Sequence, residues 1–225
     1  MDFGEFDARI DAVGSERACE QLGPWVSEER RTRIEHVLQG RLDALHVAVE
    51  RPADPYNAAA IVRTAEAIGA LHVHVVDSVE EALHARKTTQ GSFHWLHTYH
   101  HASLDGLLAL KLGGVRLCGA MMDGTHTLEE LPIDQPLCLL FGNEGVGLSP
   151  EARGACDLTF RIPMYGMSES LNLSVSAALS LYEVARRMRA ALGRPGDLVG
   201  ERLMLERARY YARSVDARTL HALSV

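Results

Sequence analysis

No apolar run in this 225-residue chain reaches the ~18–20 residues that a bilayer-spanning helix needs. The longest, such as PLCLLF at 136–141, have the length of a strand. The N-terminal MDFGEFDARIDAVG is acidic and has no apolar centre, so no secretory leader is expected. Cysteine is scarce. Cys19, Cys118, Cys138 and Cys156 show no CxxC spacing, which is the pattern of reduced, mostly buried thiols in a cytoplasmic protein. The common nucleotide signatures are also missing. No GxGxxG follows a strand and no GxxxxGK[ST] is present, which disfavours a nicotinamide site and a P-loop. There is no HExxH, and nothing completes a ligand set around His94, His97, His100 and His101 in HWLHTYHH, so no metal is expected. A GxSxG elbow is lacking, which disfavours a serine hydrolase. Neither an internal repeat nor a low-complexity tract is found.

What is there is an ordinary apolar fraction of 47% and an uneven charge. The net charge is −7, which taken alone argues against a polyanion partner. Its distribution points the other way. Residues 1–29 carry eight acids and two bases, 30–41 four arginines and one acid, and 186–225 nine arginines and four acids. Two positive segments thus flank an acidic middle. They are either solvated helix faces or contacts to a polyanion.

Residues 27–39 are expected as a helix capped by Ser27, 45–50 as a strand broken by RPADPYN, and 57–70 as a helix ending near Gly69. Further strands are expected at 71–76, before Met121, at 136–141 and in DLTFRIPM. Helices are expected at 79–88, before Gly113, from 171 to Gly193, and at about 200–213. Strands alternating with helices indicate an α/β domain with a mostly parallel sheet, placed at 45–192, with helical extensions at 1–44 and 193–225. In ERLMLERARYYAR, Arg202, Arg207, Arg209 and Arg213 beside Tyr210 and Tyr211 suit an RNA-contacting helix.

Ligands of α/β sheets bind outside the carboxyl ends of the strands. Three such exits carry unusual residues. The first is YNAAAIVRTAEAIG, in which Arg63 sits on an otherwise apolar helix and needs an anionic partner or a cleft. Pairing with Glu66 or Glu144 is the structural alternative. The second is FGNEGVGLS at 141–149, whose glycines permit tight turns or close approach to a ligand. The third is IPMYGMSESLNLSVSAALSLYE, a polar loop opening into a helix of small residues.

Together these segments resemble the three motifs of the SPOUT superfamily of methyltransferases, in its SpoU/TrmH branch. The shared pattern is N-x5-R-T-x-x-A-x-G (Asn57, Arg63), F-G-N-E-G-x-G-L-S, and I-P-M-x-G-M-x-x-S-L-N-x-S-V-x-A-A, over roughly residues 30–190. TTQGSFHW at 88–95 resembles a further segment of this branch. The resemblance implies a deep C-terminal trefoil knot, a homodimer whose interface builds the active site, and S-adenosylmethionine bound in the knot. It implies cofactor contacts from Ala120, Gly142, Asn143, Ile162, Met164, Met167 and Leu171. It also implies that Arg63, Asn57, Glu144, Ser170 and Asn172 serve ribose 2′-O-methylation of RNA. A guanidinium stays protonated, so Arg63 is read as a cation that binds the neighbouring phosphate and stabilises the developing alkoxide. The short extensions resemble those of the tRNA-modifying members, which act on a D-loop guanosine. The alternatives are ribosomal RNA, another tRNA position, or a non-catalytic RNA-binding knot protein.

Overall fold

A computed structural model describes residues 3–76, 91–216 and 219. The helix expected at 79–88, and the first residues of TTQGSFHW, lie outside the described residues. The chain divides into two compact units, Leu42–Arg194 and the pair of segments Met1–Arg41 and Pro195–Val225.

The larger unit is built on a seven-stranded, all-parallel sheet. Its strands are β1 (Leu42–Glu50), β2 (Ala70–Val76), β3 (His97–His101), β4 (Arg116–Ala120), β5 (His126–Thr127), β6 (Leu137–Phe141) and β7 (Leu158–Arg161). Their order is β3-β2-β1-β6-β4-β7-β5. β2 and β6 are buried throughout, as parallel strands covered on both faces require.

One face carries Val47, Val49, Val73, Val75 and Leu139. Two helices of this unit pack over it: α4 (Pro55–Ile68), with Ile61, Val62 and Ala65, and α7 (Leu173–Leu192), with Ala177, Leu181 and Val184. Alanines at the α4–α7 contact keep those helices close, as the small side chains of the third motif suggest. The opposite face carries Ala48, Val76, Leu117, Cys138 and Leu140. It is covered in part by α5 (Asp105–Leu112) through Leu107 and α6 (Pro150–Ala155) through Ala152. Truncating a side chain as buried as Leu181 to alanine costs about 2–5 kcal/mol.

Strand order reverses beside β1. The chain winds outward to β2 and β3, then returns to the other side of β1 through β4 and β6. A crevice opens outside the carboxyl ends at such a point. Helix caps fix where the next helices start. Asp54 accepts from Tyr56 N with Pro55 in the first turn of α4, and Asn172 accepts from Ser174 N and Val175 N at α7.

The smaller unit is helical: α1 (Phe3–Val13), α2 (Ser15–Leu22), α3 (Glu28–Gln39, capped by Ser27) and α8 (Gly200–Ala212). The RNA-contacting reading of α8 is corrected here. Tyr210 and Tyr211 are 2% and 7% exposed, and the Tyr210 hydroxyl accepts from Arg41 Nε at 3.0 Å. Arg207 forms a two-pronged pair with Glu35 at 2.6 and 2.8 Å, and Arg209 donates to buried Glu206 at 2.8 Å. The tyrosines of this helix pack in the unit's interior, and the half-buried Arg207 and Arg209 are committed to ion pairs. No helix among the described residues is long and apolar enough to cross a membrane.

Candidate active site

The 141–149 segment leaves β6 as a tight turn. Asn143 N donates to Gly147 O at 3.0 Å, and Gly147 N returns to Asn143 O at 2.9 Å. The Asn143 side chain fills the turn, its Oδ1 accepting from Gly145 N (2.8 Å) and Val146 N (3.2 Å). Gly142 is required by close packing, since a Cβ there would lie 2.2 Å from the Gly147 carbonyl carbon.

This turn presents Glu144 to the segment that follows β1. Ala53 N donates to Glu144 Oε2 at 2.7 Å and Asp54 N to Oε1 at 3.4 Å. Asn57 Nδ2 donates to Oε1 at 2.7 Å. Burial raises the Glu144 pKa, but the Ala53 N–H and the Asn57 amide outweigh it, and the carboxyl sits below its ordinary range. Glu144 is therefore an anion at neutral pH. The chain of bonds continues to the third motif, where Asn172 Nδ2 donates to Asn57 Oδ1 at 3.2 Å. Asn172 Oδ1 meanwhile caps α7. Glu144, Asn57 and Asn172 are thus one hydrogen-bonded line through all three motif segments.

Arg63 stands apart from it. Six residues separate it from Asn57, ~240° around a helix. Its side chain is exposed and, among the described residues, has no hydrogen-bond or ion-pair partner. The alternative of pairing with Glu66 or Glu144 is not realised within the chain. Ser170 is likewise exposed without a hydrogen-bond partner among the described residues.

The remaining candidates line the exits of β4, β6 and β7. Ala120 ends β4 beside Phe160, and Ile162 follows β7, both half-buried. Met164 and Met167 project outward and Leu171 is half-buried. Backbone groups of 163–171 make no hydrogen bond among the described residues. A bent, uncommitted peptide of this kind offers N–H and C=O groups to a flat polar ligand. Asn143 differs: its N–H, its carbonyl, its Oδ1 and one hydrogen of its Nδ2 are bonded within the protein. Two residues not singled out from the sequence join the site. Arg51 O accepts from Asn143 Nδ2 at 2.7 Å, and Glu50 accepts from Ser149 N and Oγ. RPADP signals only a chain break, so neither contact has a local sequence mark.

The described histidines and cysteines lie elsewhere. His46, His72, His74, His97 and His101 stack across β1–β3, and among the described residues no group of three or more ligands is placed to hold a metal ion. Burial pushes the Cys118 thiol up to about 12 and that of Cys156 to about 11, so neither is a nucleophile at neutral pH.

Residues 44–182 match the SpoU rRNA Methylase family. A tRNA (guanosine(18)-2′-O)-methyltransferase of Thermus thermophilus is 37% identical over 169 residues, 74% of this chain and 87% of that protein. The crystal structure of the A. aeolicus TrmH/SpoU tRNA modifying enzyme superposes with a TM-score of 0.71 at 32% identity, covering 81% of this chain and 96% of that one. The SpoU methyltransferase AviRb of Streptomyces viridochromogenes, solved in complex with the cofactor AdoMet, gives 0.58 at 32% identity over 67% and 62%. With three motifs joined at the carboxyl end of a parallel sheet, and with relatives this similar over this length, the chain belongs to the SpoU methylase family.

Proposed function

We propose that this chain transfers a methyl group from S-adenosylmethionine to the ribose 2′-oxygen of a D-loop guanosine in tRNA, its Thermus relative being named for guanosine 18. The observation that carries the reading is the Glu144–Asn57–Asn172 line, joined to the same helix as an Arg63 that has no partner among the described residues. The cofactor supplies an electrophilic methyl group on a sulfonium centre. The protein's task is alignment and charge, and alignment alone is worth up to ~7–11 kcal/mol.

Peptide groups of 163–171 are open to the adenosine, with Ala120 and Ile162 as small and apolar walls. Arg63 binds the phosphate next to the target ribose and stabilises negative charge on the 2′-oxygen as its proton leaves and the O–C bond forms. The exposed Ser170 hydroxyl is free to bind the ribose. Asn57 and Asn172 hold Glu144, and with it the two loops, at fixed spacing.

Arg63→Ala is expected to lower kcat about 10²–10³-fold. Its affinity for S-adenosylmethionine is expected to stay within about twofold of wild type. Methyl-labelled cofactor with tRNA, digested to nucleosides, reads the first, and calorimetry reads the second. Label in 2′-O-methylguanosine from tRNA supports the reading. Label only in ribosomal RNA would move the substrate, and a collapse of cofactor binding would give Arg63 another role.

Three further parts of the reading rest on less. Residues 162–172 are read as threaded through a knot. In support, the chain passes from β7 at one side of the sheet to α7 packed on α4, and Arg187 of α7 donates to Leu128 O and Leu131 O of the β4–β6 connection. Tracing that crossing in an experimental density map tests it. A homodimer is read from Val175, Leu179 and Tyr182, which are 45%, 46% and 65% exposed along one side of α7. The helical segments at 1–44 and 193–225 are read as extensions of a 45–192 methyltransferase domain, in a cytoplasmic enzyme whose thiols stay free.

A further inference from the structure

Arg51 is the one described non-glycine residue with positive φ, at 49°. The left-handed region is costly for a side chain with a Cβ, and the following Pro52 restricts residue 51 further. Such a conformation persists only where its surroundings over-determine it. Here both backbone groups of Arg51 are pinned. Its N–H donates to Val76 O at 2.9 Å, and its carbonyl accepts from Asn143 Nδ2 at 2.7 Å. Two residues on, the chain delivers the Ala53 N–H to Glu144 Oε2, also at 2.7 Å. A second fastening lies beside it. Glu50, 2% exposed, accepts from Ser149 N at 2.9 Å and Ser149 Oγ at 2.6 Å, and among the described residues no cation pairs with it. A carboxylate kept buried on two bonds to one serine holds the far end of the 142–149 turn against the end of β1.

We infer that Asn143 is a positioning residue: its amide locks Arg51 in the left-handed turn that aims the Ala53 N–H at Glu144. The inference rests on the reading of Glu144 as part of the methyl-transfer site. It gives the Asn143 side chain a structural duty in place of the cofactor contact, since its Oδ1 accepts from Gly145 N and Val146 N while Nδ2 holds the Arg51 carbonyl.

The test compares Asn143→Ala in the wild-type chain and in an Arg51→Gly background. Glycine adopts the left-handed turn without a clamp, so the loss caused by Asn143→Ala must shrink there. In the wild-type background kcat falls about tenfold or more, a scale set by misplacement of a site group. In the glycine background the same substitution costs at least about threefold less, the remainder being the loss of the Oδ1 bonds to Gly145 N and Val146 N, with S-adenosylmethionine affinity changed by less than about threefold in both. Amide hydrogen exchange at Ala53 gives a readout independent of activity. It accelerates in Asn143→Ala and slows again in the double variant. Equal kcat losses in both backgrounds, a loss confined to cofactor affinity, or an unchanged Ala53 amide each overturns the clamp. If the wild-type chain methylates no tRNA, the functional reading alone has failed and the Ala53 amide still decides.

Discussion

Asn57 serves two partners with one amide, donating to Glu144 through Nδ2 and accepting from Asn172 through Oδ1. Because the two ends differ chemically, its orientation is fixed by the carboxylate, which can only accept. Asn57→Asp removes the donor and sets a second carboxylate against Glu144. Both changes raise the Glu144 pKa from its depressed position. If Glu144 must be ionised for transfer, the acid limb of the kcat/KM profile moves to higher pH by about one unit. Asn57→Ala, which loses the donor without adding charge, moves it less. A limb that stays in place in Asn57→Asp would mean that Glu144 acts by shape alone.

On the sheet itself, β1, β2 and β3 carry a line of imidazoles. His46 Nδ1 meets His74 Nε2 at 3.1 Å, and His74 Nδ1 meets His101 Nε2 at 3.0 Å. Alongside, His72 joins Asp43 at 2.8 Å and Tyr99 at 3.2 Å. A neutral imidazole has one donor and one acceptor, so the His46–His74–His101 line is satisfied when all three are neutral and their tautomers agree. Burial, then His46, His72 and His101, hold the His74 pKa well below the ordinary imidazole value. The unfolded chain takes up that proton near pH ~6.5 while the folded chain does not. Stability is therefore full above that pH and falls as pH drops, by up to about 1.4 kcal/mol per unit for His74 alone. Thermal unfolding should show a lower midpoint at pH 5 than at pH 7.5, with a shallower fall in His74→Asn. An equal fall in that variant would assign the titration to other groups. This ladder also marks where the sequence is hard to read. HTYHH at 97–101 is a strand, yet its polar residues show no apolar alternation and read only as a histidine cluster without a ligand set. Conversely β1, β2, β6, α4 and α7 are legible because burial on both faces, or caps at Asp54 and Asn172, leave local marks. The Tyr210–Tyr211 pair of α8 misled for the opposite reason. Tyrosines between arginines suit an RNA face and a helix core equally, and only packing partners distinguish them.

For the whole molecule, the proposed homodimer makes a prediction about where Arg63 acts. Glu144, Asn57 and Asn172 are bonded together, whereas Arg63 leaves the same helix ~240° away and touches none of them. The exposed apolar side of α7 offers a surface on which a second copy, by the symmetry of a homodimer, would present its own Arg63. Two variants separate the possibilities. Arg63→Ala keeps the bonded line and loses the cation, and Asn172→Ala does the reverse. Each alone is expected to be nearly inactive. Co-refolded in equal amounts, half of the dimers are mixed, and each mixed dimer contains one site with both parts intact if Arg63 acts across the interface. Activity then returns to about a quarter of wild type. No recovery, with mixed dimers verified by mass spectrometry, would place Arg63 in its own chain's site. Leu179→Glu supplies the control: a charge within the apolar side should shift sedimentation from dimer to monomer. Under the cross-interface reading that monomer loses transfer even though every candidate site residue is present. A fully active monomer would remove the dimer from the mechanism and leave Arg63 to reach the ribose by movement of α4.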